Sequence, residues 1–151
     1  MKTDLLKKKE AWFESWFDTS FYHLLYKDRD DKEARFFIKN MIEQLRPGPD
    51  AHFLDLACGR GRHAKFLSEL GYDVTGLDLS ERNITYARQF ANDSLHFEEG
   101  DMRKPFGKDR FDYIFNLFTS FGYFENHDDN LQALKMMKQE IACLPNYTPV
   151  S

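Results

Sequence analysis

The stretch Phe53-Leu54-Asp55-Leu56-Ala57-Cys58-Gly59-Arg60-Gly61 decides the fold. Its opening residues, with His52 before them, are apolar apart from Asp55 and short enough to read as a buried strand. Gly59-Arg60-Gly61 supplies a turn that lets a backbone or a ligand come close. From Arg62 the period becomes helical, through Ala64, Phe66, Leu67 and Leu70, and Gly71 stands where a left-handed helix cap is expected. A strand that runs through a glycine turn into a helix is the opening unit of a parallel α/β sheet.

The same alternation continues downstream. Residues 72–78 form a second expected strand, and Ser80 is placed to cap a helix reaching about residue 90. Residues 95–98 read as a third strand and residues 111–118 (Phe-Asp-Tyr-Ile-Phe-Asn-Leu-Phe) as a fourth. Asp128 is expected to cap a last helix carrying Leu131, Leu134, Met137 and Ile141. Upstream, Ala34, Phe37, Ile38, Met41, Ile42 and Leu45 make one apolar stripe that must stop at Arg46, because Pro47-Gly48-Pro49 cannot continue it. Trp12, Phe13, Trp16 and Phe17 repeat at helical spacing before that. The organisation expected is a helical lead or lid over residues 1–46, an α/β core over 47–141 and an irregular tail over 142–151, where Pro145 and Pro149 interrupt regular structure.

Composition narrows the class. At 151 residues and 42% hydrophobic content the chain can bury the core of one domain. Its net charge of -4 offers no drive toward nucleic acid or anionic lipid, and the Lys7-Lys8-Lys9 run reads as a solvated helix face. No apolar run approaches the ~20 residues that span a bilayer, and the N-terminal residues lack the apolar core of a signal peptide. Cys58 and Cys143 make neither a metal spacing nor a disulfide framework, which fits a cytoplasmic protein with both thiols packed as small apolar groups. No metal site is expected.

Polar residues stand at the ends of all four expected strands: Asp55, Asp78, Asp101 and Asn116. Ligands of open parallel sheets bind at these carboxyl ends. The helix N-terminus after the Gly59 turn favours a carboxylate or phosphate. Asp78, 19 positions after Gly59, is placed to accept from both hydroxyls of a ribose. Asp101 can accept from an adenine amino group, with Leu79 and Met102 beside the base. Asn116 and the adjacent backbone at Leu117 can face the far end of such a ligand.

These residues resemble the class I S-adenosylmethionine-dependent methyltransferases. Asp55-Leu56-Ala57-Cys58-Gly59-Arg60-Gly61 is similar to that family's first motif, Val74-Thr75-Gly76-Leu77-Asp78-Leu79-Ser80 to its ribose-binding strand end, and Gly100-Asp101-Met102 to its adenine-binding turn. Asn116 to Phe124 resembles the fourth motif of members that act on small molecules. The resemblance covers roughly residues 50–140. It implies a Rossmann-like parallel sheet of order 3-2-1-4 with flanking helices, S-adenosylmethionine as cofactor, and methyl transfer to a small-molecule acceptor. Cofactor contacts are expected from Asp55, Ala57, Cys58, Gly59, Arg60, Gly61, Asp78, Leu79, Gly100, Asp101, Met102, Asn116 and Leu117. Acceptor contacts are expected from Tyr22 and Tyr26, with Phe21 and His23 near them, and from Ser120 and Tyr123.

Two other readings stand beside this one. Gly59-x-Gly61-x-x-Ala64 also satisfies a dinucleotide fingerprint, so an NAD-dependent oxidoreductase is an alternative. Asp55 disfavours it by setting an acid near a pyrophosphate, and Gly100-Asp101-Met102 has no role in that fingerprint. The second is a cofactor-binding fragment without activity, because the family's usual fifth to seventh strands are absent. Residues 111–118 would then lie at a sheet edge, and an apolar edge is expected to pair two chains into a homodimer or to take the missing half from another chain; a C-terminally truncated sequence is the remaining alternative. Neither His63 nor Arg62 nor Lys65 is singled out for catalysis; the first reads as structural and the others as solvated. No general base is identified, and the sulfonium chemistry does not demand one.

Overall fold

Helix α1 (Asp31–Leu45) ends where the prolines require it, and Arg46 leaves it in a left-handed conformation with φ 45°. The structure, a computed structural model, describes residues 31–107, 110–117 and 126–140. The elements that follow are β1 (His52–Leu56), α2 (Arg62–Glu69), β2 (Asp73–Asp78), α3 (Glu81–Ala87) with a 3-10 turn over Arg88–Phe90, β3 (Leu95–Glu99), β4 (Tyr113–Phe115) and α4 (His127–Glu140). All neighbouring strands pair in parallel, in the order β3-β2-β1-β4. This is the sheet that the resemblance implies.

Alternation along β1 sends successive side chains to opposite faces. Phe53 lies on one face beside Val74 and Leu95, and this face is covered by Ile38 of α1, Ala64 and Leu67 of α2, and Ile84 and Ala87 of α3. Leu54 and Leu56 lie on the other, with Leu77 and Phe111, and Met137 of α4 packs there. Helices therefore cover both faces, which is why the strands read as apolar runs. The aromatic content serves this core: Phe53 is fully buried, with the rings of Tyr72, Tyr113 and Phe115 centred 5.0, 5.0 and 5.3 Å away. Burying such a side chain is worth about 1.5–3 kcal/mol.

One row across the sheet shapes the site. Phe115, Asp55, Gly76 and Phe97 are successive register partners. Gly76 has no side chain, and the Phe97 ring takes its place: a Cβ on Gly76 would lie 2.7 Å from Phe97 Cδ1. The same ring reaches Gly61, whose Cβ would lie 2.5 Å from Phe97 Cε1. The glycine turn thus rests on an aromatic floor that needs glycine at two positions.

Two expectations need correction. The fourth strand is Tyr113–Phe115, shorter than the expected 111–118, of which residue 118 lies outside the described residues; on its carboxyl side the pairing stops because β1 gives way after Leu56 to Ala57 in a left-handed conformation, φ 58°. The cap of α4 is Asn126, not Asp128: the Asn126 side chain accepts the Asp128 N–H at 2.9 Å. In α4 the side chain fully buried is Ala133, whereas Leu131 and Leu134 are about half exposed, at 53% and 49%. Helical spacing identified an apolar stripe there but not its orientation. The aromatic helix expected before residue 31, Ile141, Cys143 and the tail lie outside the described residues.

Candidate functional site

The glycine turn is held from below and from the side. Cys58 donates its N–H to the Leu77 carbonyl (3.0 Å), which extends the β1–β2 pairing by one bond into the turn. Gly59 (φ 58°) and Gly61 (φ 81°) both adopt the left-handed region that favours glycine, but for different surroundings. Nothing lies within 4 Å of a Cβ placed on Gly59, whereas Gly61 is packed against Phe97 and Ala87. Gly61 then starts α2, its carbonyl accepting from Lys65 N–H at 2.8 Å.

Asp78 is the residue that ties the turn to the next strand. Its Oδ2 accepts the Gly59 N–H at 2.8 Å, and its Oδ1 accepts the Ser80 N–H at 2.9 Å. Ser80 in turn accepts the Asn83 N–H at 3.2 Å and caps α3 as expected. The Asp78 carbonyl accepts the Gly100 N–H at 2.9 Å, so the ends of β1, β2 and β3 are joined through one residue. Leu79 beside it remains partly exposed.

Asp55 lies on the same face as α2 and is 2% exposed. Burial, above all, pushes its carboxyl up to about 7; the Ala64 N–H donated from the first turn of α2 opposes this, and the nearby Asp78 charge adds to it. Its Oδ2 is buried without a hydrogen-bond partner among the described residues. The same holds for both side-chain polar atoms of Asn116, which follows Phe115, the register partner of Asp55. Unpartnered polar atoms cost about 1–3 kcal/mol each when buried, so a group of them at neighbouring strand ends calls for a polar partner. Cys58 packs as a neutral small side chain, its thiol pushed well up by burial and by the charges of Asp55 and Asp78.

After β3, Asp101 is engaged. The Arg103 side chain forks onto it, Nε to Oδ1 at 2.9 Å and Nη2 to Oδ2 at 2.6 Å, and the Arg103 backbone N–H adds a bond to Oδ1 at 2.9 Å. Arg103 Nη1 also reaches Asp129 Oδ2 of α4 at 3.3 Å. Met102 packs against the Leu54, Leu56 and Leu77 cluster, and Leu117 against the Phe53 cluster.

Sequence reasoning missed Arg103 and Asp129. The signal for the first was available: an acid after a strand whose side chain bonds the backbone two residues on, as Asp78 does to Ser80 and Asn126 to Asp128. Nothing local pointed to Asp129, which lies 26 positions from its partner. Arg60 turns away from the strand ends, its guanidinium 4.7 Å from the centre of the Tyr86 ring. A cavity of about 220 Å³ lies beside it between α1, α2 and α3, but Asp55, Asp78, Asp101 and Asn116 do not line it. Tyr22, Tyr26, Ser120 and Tyr123 lie outside the described residues, as do Phe21 and His23. Among the described residues no cluster of His, Cys, Asp and Glu is arranged to hold a metal, and no helix is long and apolar enough to cross a membrane.

Known proteins resemble this chain in sequence and in fold. A dTDP-3-amino-3,4,6-trideoxy-alpha-D-glucopyranose N,N-dimethyltransferase of Streptomyces venezuelae is 40% identical over 112 residues, 72% of this chain and 46% of that protein. A putative methyltransferase of Bacillus subtilis is 38% identical over 85 residues, 54% of this chain and 34% of its own length. The chain thus spans less than half the length of these curated relatives. Among solved structures, DesVI of Streptomyces venezuelae superposes with a TM-score of 0.65 at 28% identity, covering 80% of this chain and 51% of that one. A TehB-like SAM-dependent methyltransferase from Corynebacterium glutamicum shares the fold, with a TM-score of 0.65 at 24% identity over 86% of this chain and 67% of that chain. The family model described as a methyltransferase domain matches residues 53–140, more than half of the sequence, and the chain belongs to that family.

Proposed function

We propose that this chain binds S-adenosylmethionine at the carboxyl ends of its four strands and transfers the methyl group to a small-molecule acceptor. The observation that carries the reading is the set of buried polar atoms at the ends of β1 and β4, Asp55 Oδ2 and the Asn116 amide, that have no partner among the described residues. A ligand with an ammonium and a carboxylate at one end and a nucleoside at the other supplies what they lack. Family membership supports the chemistry, and the nucleotide-linked amino sugar in the name of the Streptomyces venezuelae relative supports a small acceptor.

S-adenosylmethionine, when bound, supplies a methyl on a sulfonium, a leaving group that needs no proton. The residues of this chain hold and orient it. Asp78 fixes the Gly59 turn and offers its carboxylate to a ribose, with Leu79 along the base. Gly59 leaves room for the ligand against the backbone. Asp55 and Asn116 receive the amino-acid end. Ala57, Cys58 and Leu117 contribute backbone. Gly100-Asp101-Met102 forms the adenine turn, with Gly100 held by the Asp78 carbonyl. Alignment and exclusion of water carry most of the rate in such a displacement. Acceptor contacts are assigned to Tyr22, Tyr26, Ser120 and Tyr123.

An NAD-dependent reading is disfavoured by the methyltransferase family match over residues 53–140, and not by a fixed charge on Asp55. Asp55, pushed up to about 7, is largely protonated below neutrality and is not a fixed negative charge. An ammonium beside it would draw out its ionised form, whereas a pyrophosphate would meet a neutral carboxyl that can donate to it. The outer edge of β4, which pairs only with β1 among the described residues, is read as the place where a second copy adds a strand. A concentration-independent monomer in sedimentation, with freely exchanging amides across β4, contradicts that pairing. The low net charge supports the absence of a nucleic-acid partner, and the buried free thiol at Cys58 supports a reducing, cytoplasmic setting.

The test is incubation with methyl-labelled S-adenosylmethionine and a panel of small amines and alcohols that includes a nucleotide-linked amino sugar. Label in an acceptor upholds the reading. Binding of the cofactor without label transfer supports the binding-only alternative.

A further inference from the structure

We infer that Arg103 is a positioning residue for recognition of the adenine amino group: it fixes the Asp101 carboxylate so that a further donor at Oδ2 has only the longer, shared Nε–H branch to displace. The inference rests on the proposed binding of an adenosine-containing ligand, and deepens it.

A carboxylate has about four acceptor positions, two on each oxygen. On Asp101, Oδ1 is filled by two short bonds, from the Arg103 backbone N–H and from Nε, both 2.9 Å. Oδ2 has one short bond, from Nη2 at 2.6 Å, and otherwise only the longer branch of the shared Nε–H at 3.1 Å. A donor arriving at Oδ2 displaces only that long branch and leaves the fork intact. The fork is itself anchored: Arg103 Nη1 bonds Asp129 of α4 at 3.3 Å, and the Arg103 carbonyl accepts from Gln132 Nε2 of the same helix at 3.4 Å. Side chains of the pair are shielded, at 11% exposure for Asp101 and 25% for Arg103, so the geometry is not a loose surface contact.

Charge follows the same arrangement. Burial would raise the Asp101 carboxyl, but the Arg103 side-chain bond, its backbone N–H and its charge, with Lys104 behind them, hold it below the ordinary carboxylate range. Asp101 thus stays an ionised acceptor, and an adenine amino group can only donate to it. A 6-oxo purine presents an acceptor at that position and meets repulsion.

The experiment compares S-adenosylhomocysteine with S-inosylhomocysteine, which carries oxygen in place of the amino group, by calorimetric titration. The wild-type chain is expected to prefer the adenosine compound by at least about tenfold, the range of one hydrogen bond to a charged group. Arg103→Ala, and Arg103→Lys, which keeps the charge but loses the fork, should lower that preference several-fold, with the Lys variant in between. A purely structural role would weaken both ligands alike and leave the ratio unchanged, which overturns the inference. Tighter binding of S-adenosylhomocysteine by either variant also overturns it, because the arginine would then be a competitor for Asp101. If the wild type binds neither compound, the proposed function falls; if it binds both with its preference intact in the Lys variant, only the role of Arg103 falls.

Discussion

The Asp78 carboxylate accepts the Gly59 N–H at 2.8 Å across 19 positions of sequence, and so joins the turn after β1 to the end of β2. Two features that the sequence offered as separate ligand contacts are one structural unit. The acid shapes the turn that the ligand is to meet.

Asp78→Ala is therefore expected to act twice. Losing the acceptor for the Gly59 and Ser80 N–H groups should lower stability by about 1–3 kcal/mol. Affinity for S-adenosylhomocysteine should fall at least about 100-fold, since two hydrogen bonds to a charged group are removed with the turn geometry. Denaturant unfolding and calorimetry measure the two effects; unchanged affinity contradicts the ribose assignment.

The two glycines of the turn should separate cleanly. Gly61→Ala forces a Cβ to within 2.5 Å of the Phe97 ring at φ 81°, and about 2–4 kcal/mol of destabilisation is expected from overpacking and backbone strain together. Gly59→Ala meets nothing within 4 Å, so only its left-handed strain of about 1–2 kcal/mol remains. Yet Gly59→Ala should weaken cofactor binding more than its stability loss suggests, because its open side is the one proposed to meet the ligand. Thermal melts and binding isotherms of both variants check the contrast.

Much of this was legible beforehand. Strand and helix periods with Pro47-Gly48-Pro49 and Gly71 as punctuation place every described element within a few residues, and the strand order follows from the family resemblance. What escaped was tertiary. The β4 boundary depends on where β1 turns away at Ala57, and the exposure of Leu131 and Leu134 depends on how α4 is rotated over Met137 and Ala133. The Phe97 ring under Gly61 and Gly76 is a complement between distant residues that no local pattern encodes. Arg103 on Asp101 was readable as a side-chain turn, but its anchorage to Asp129 was not.

Asp55 makes a pH-dependent prediction. Its folded value of about 7 lies above the ordinary 3.8, chiefly through burial. Below about pH 4 the group is protonated in both states and costs nothing. Between about 4 and 7 the unfolded chain ionises it while the folded chain retains the proton, so stability falls as pH rises; above 7 the full penalty, on the order of 4 kcal/mol, persists. Asp55→Asn should remove that slope, read as the difference between the two proteins in unfolding midpoints across pH 4 to 8. At pH 6, S-adenosylhomocysteine binding should release close to one proton from the wild type and less from Asp55→Asn, measured by calorimetry in buffers of different ionisation enthalpy. Proton uptake would contradict an ammonium beside Asp55.

Every binding prediction above depends on the proposed binding of S-adenosylmethionine at these strand ends. Calorimetric titration of the 151-residue chain with S-adenosylhomocysteine, and separately with NAD, tests it most directly. Saturable one-to-one binding of S-adenosylhomocysteine and none of NAD is expected; binding of NAD alone, or of neither, would overturn the proposed function.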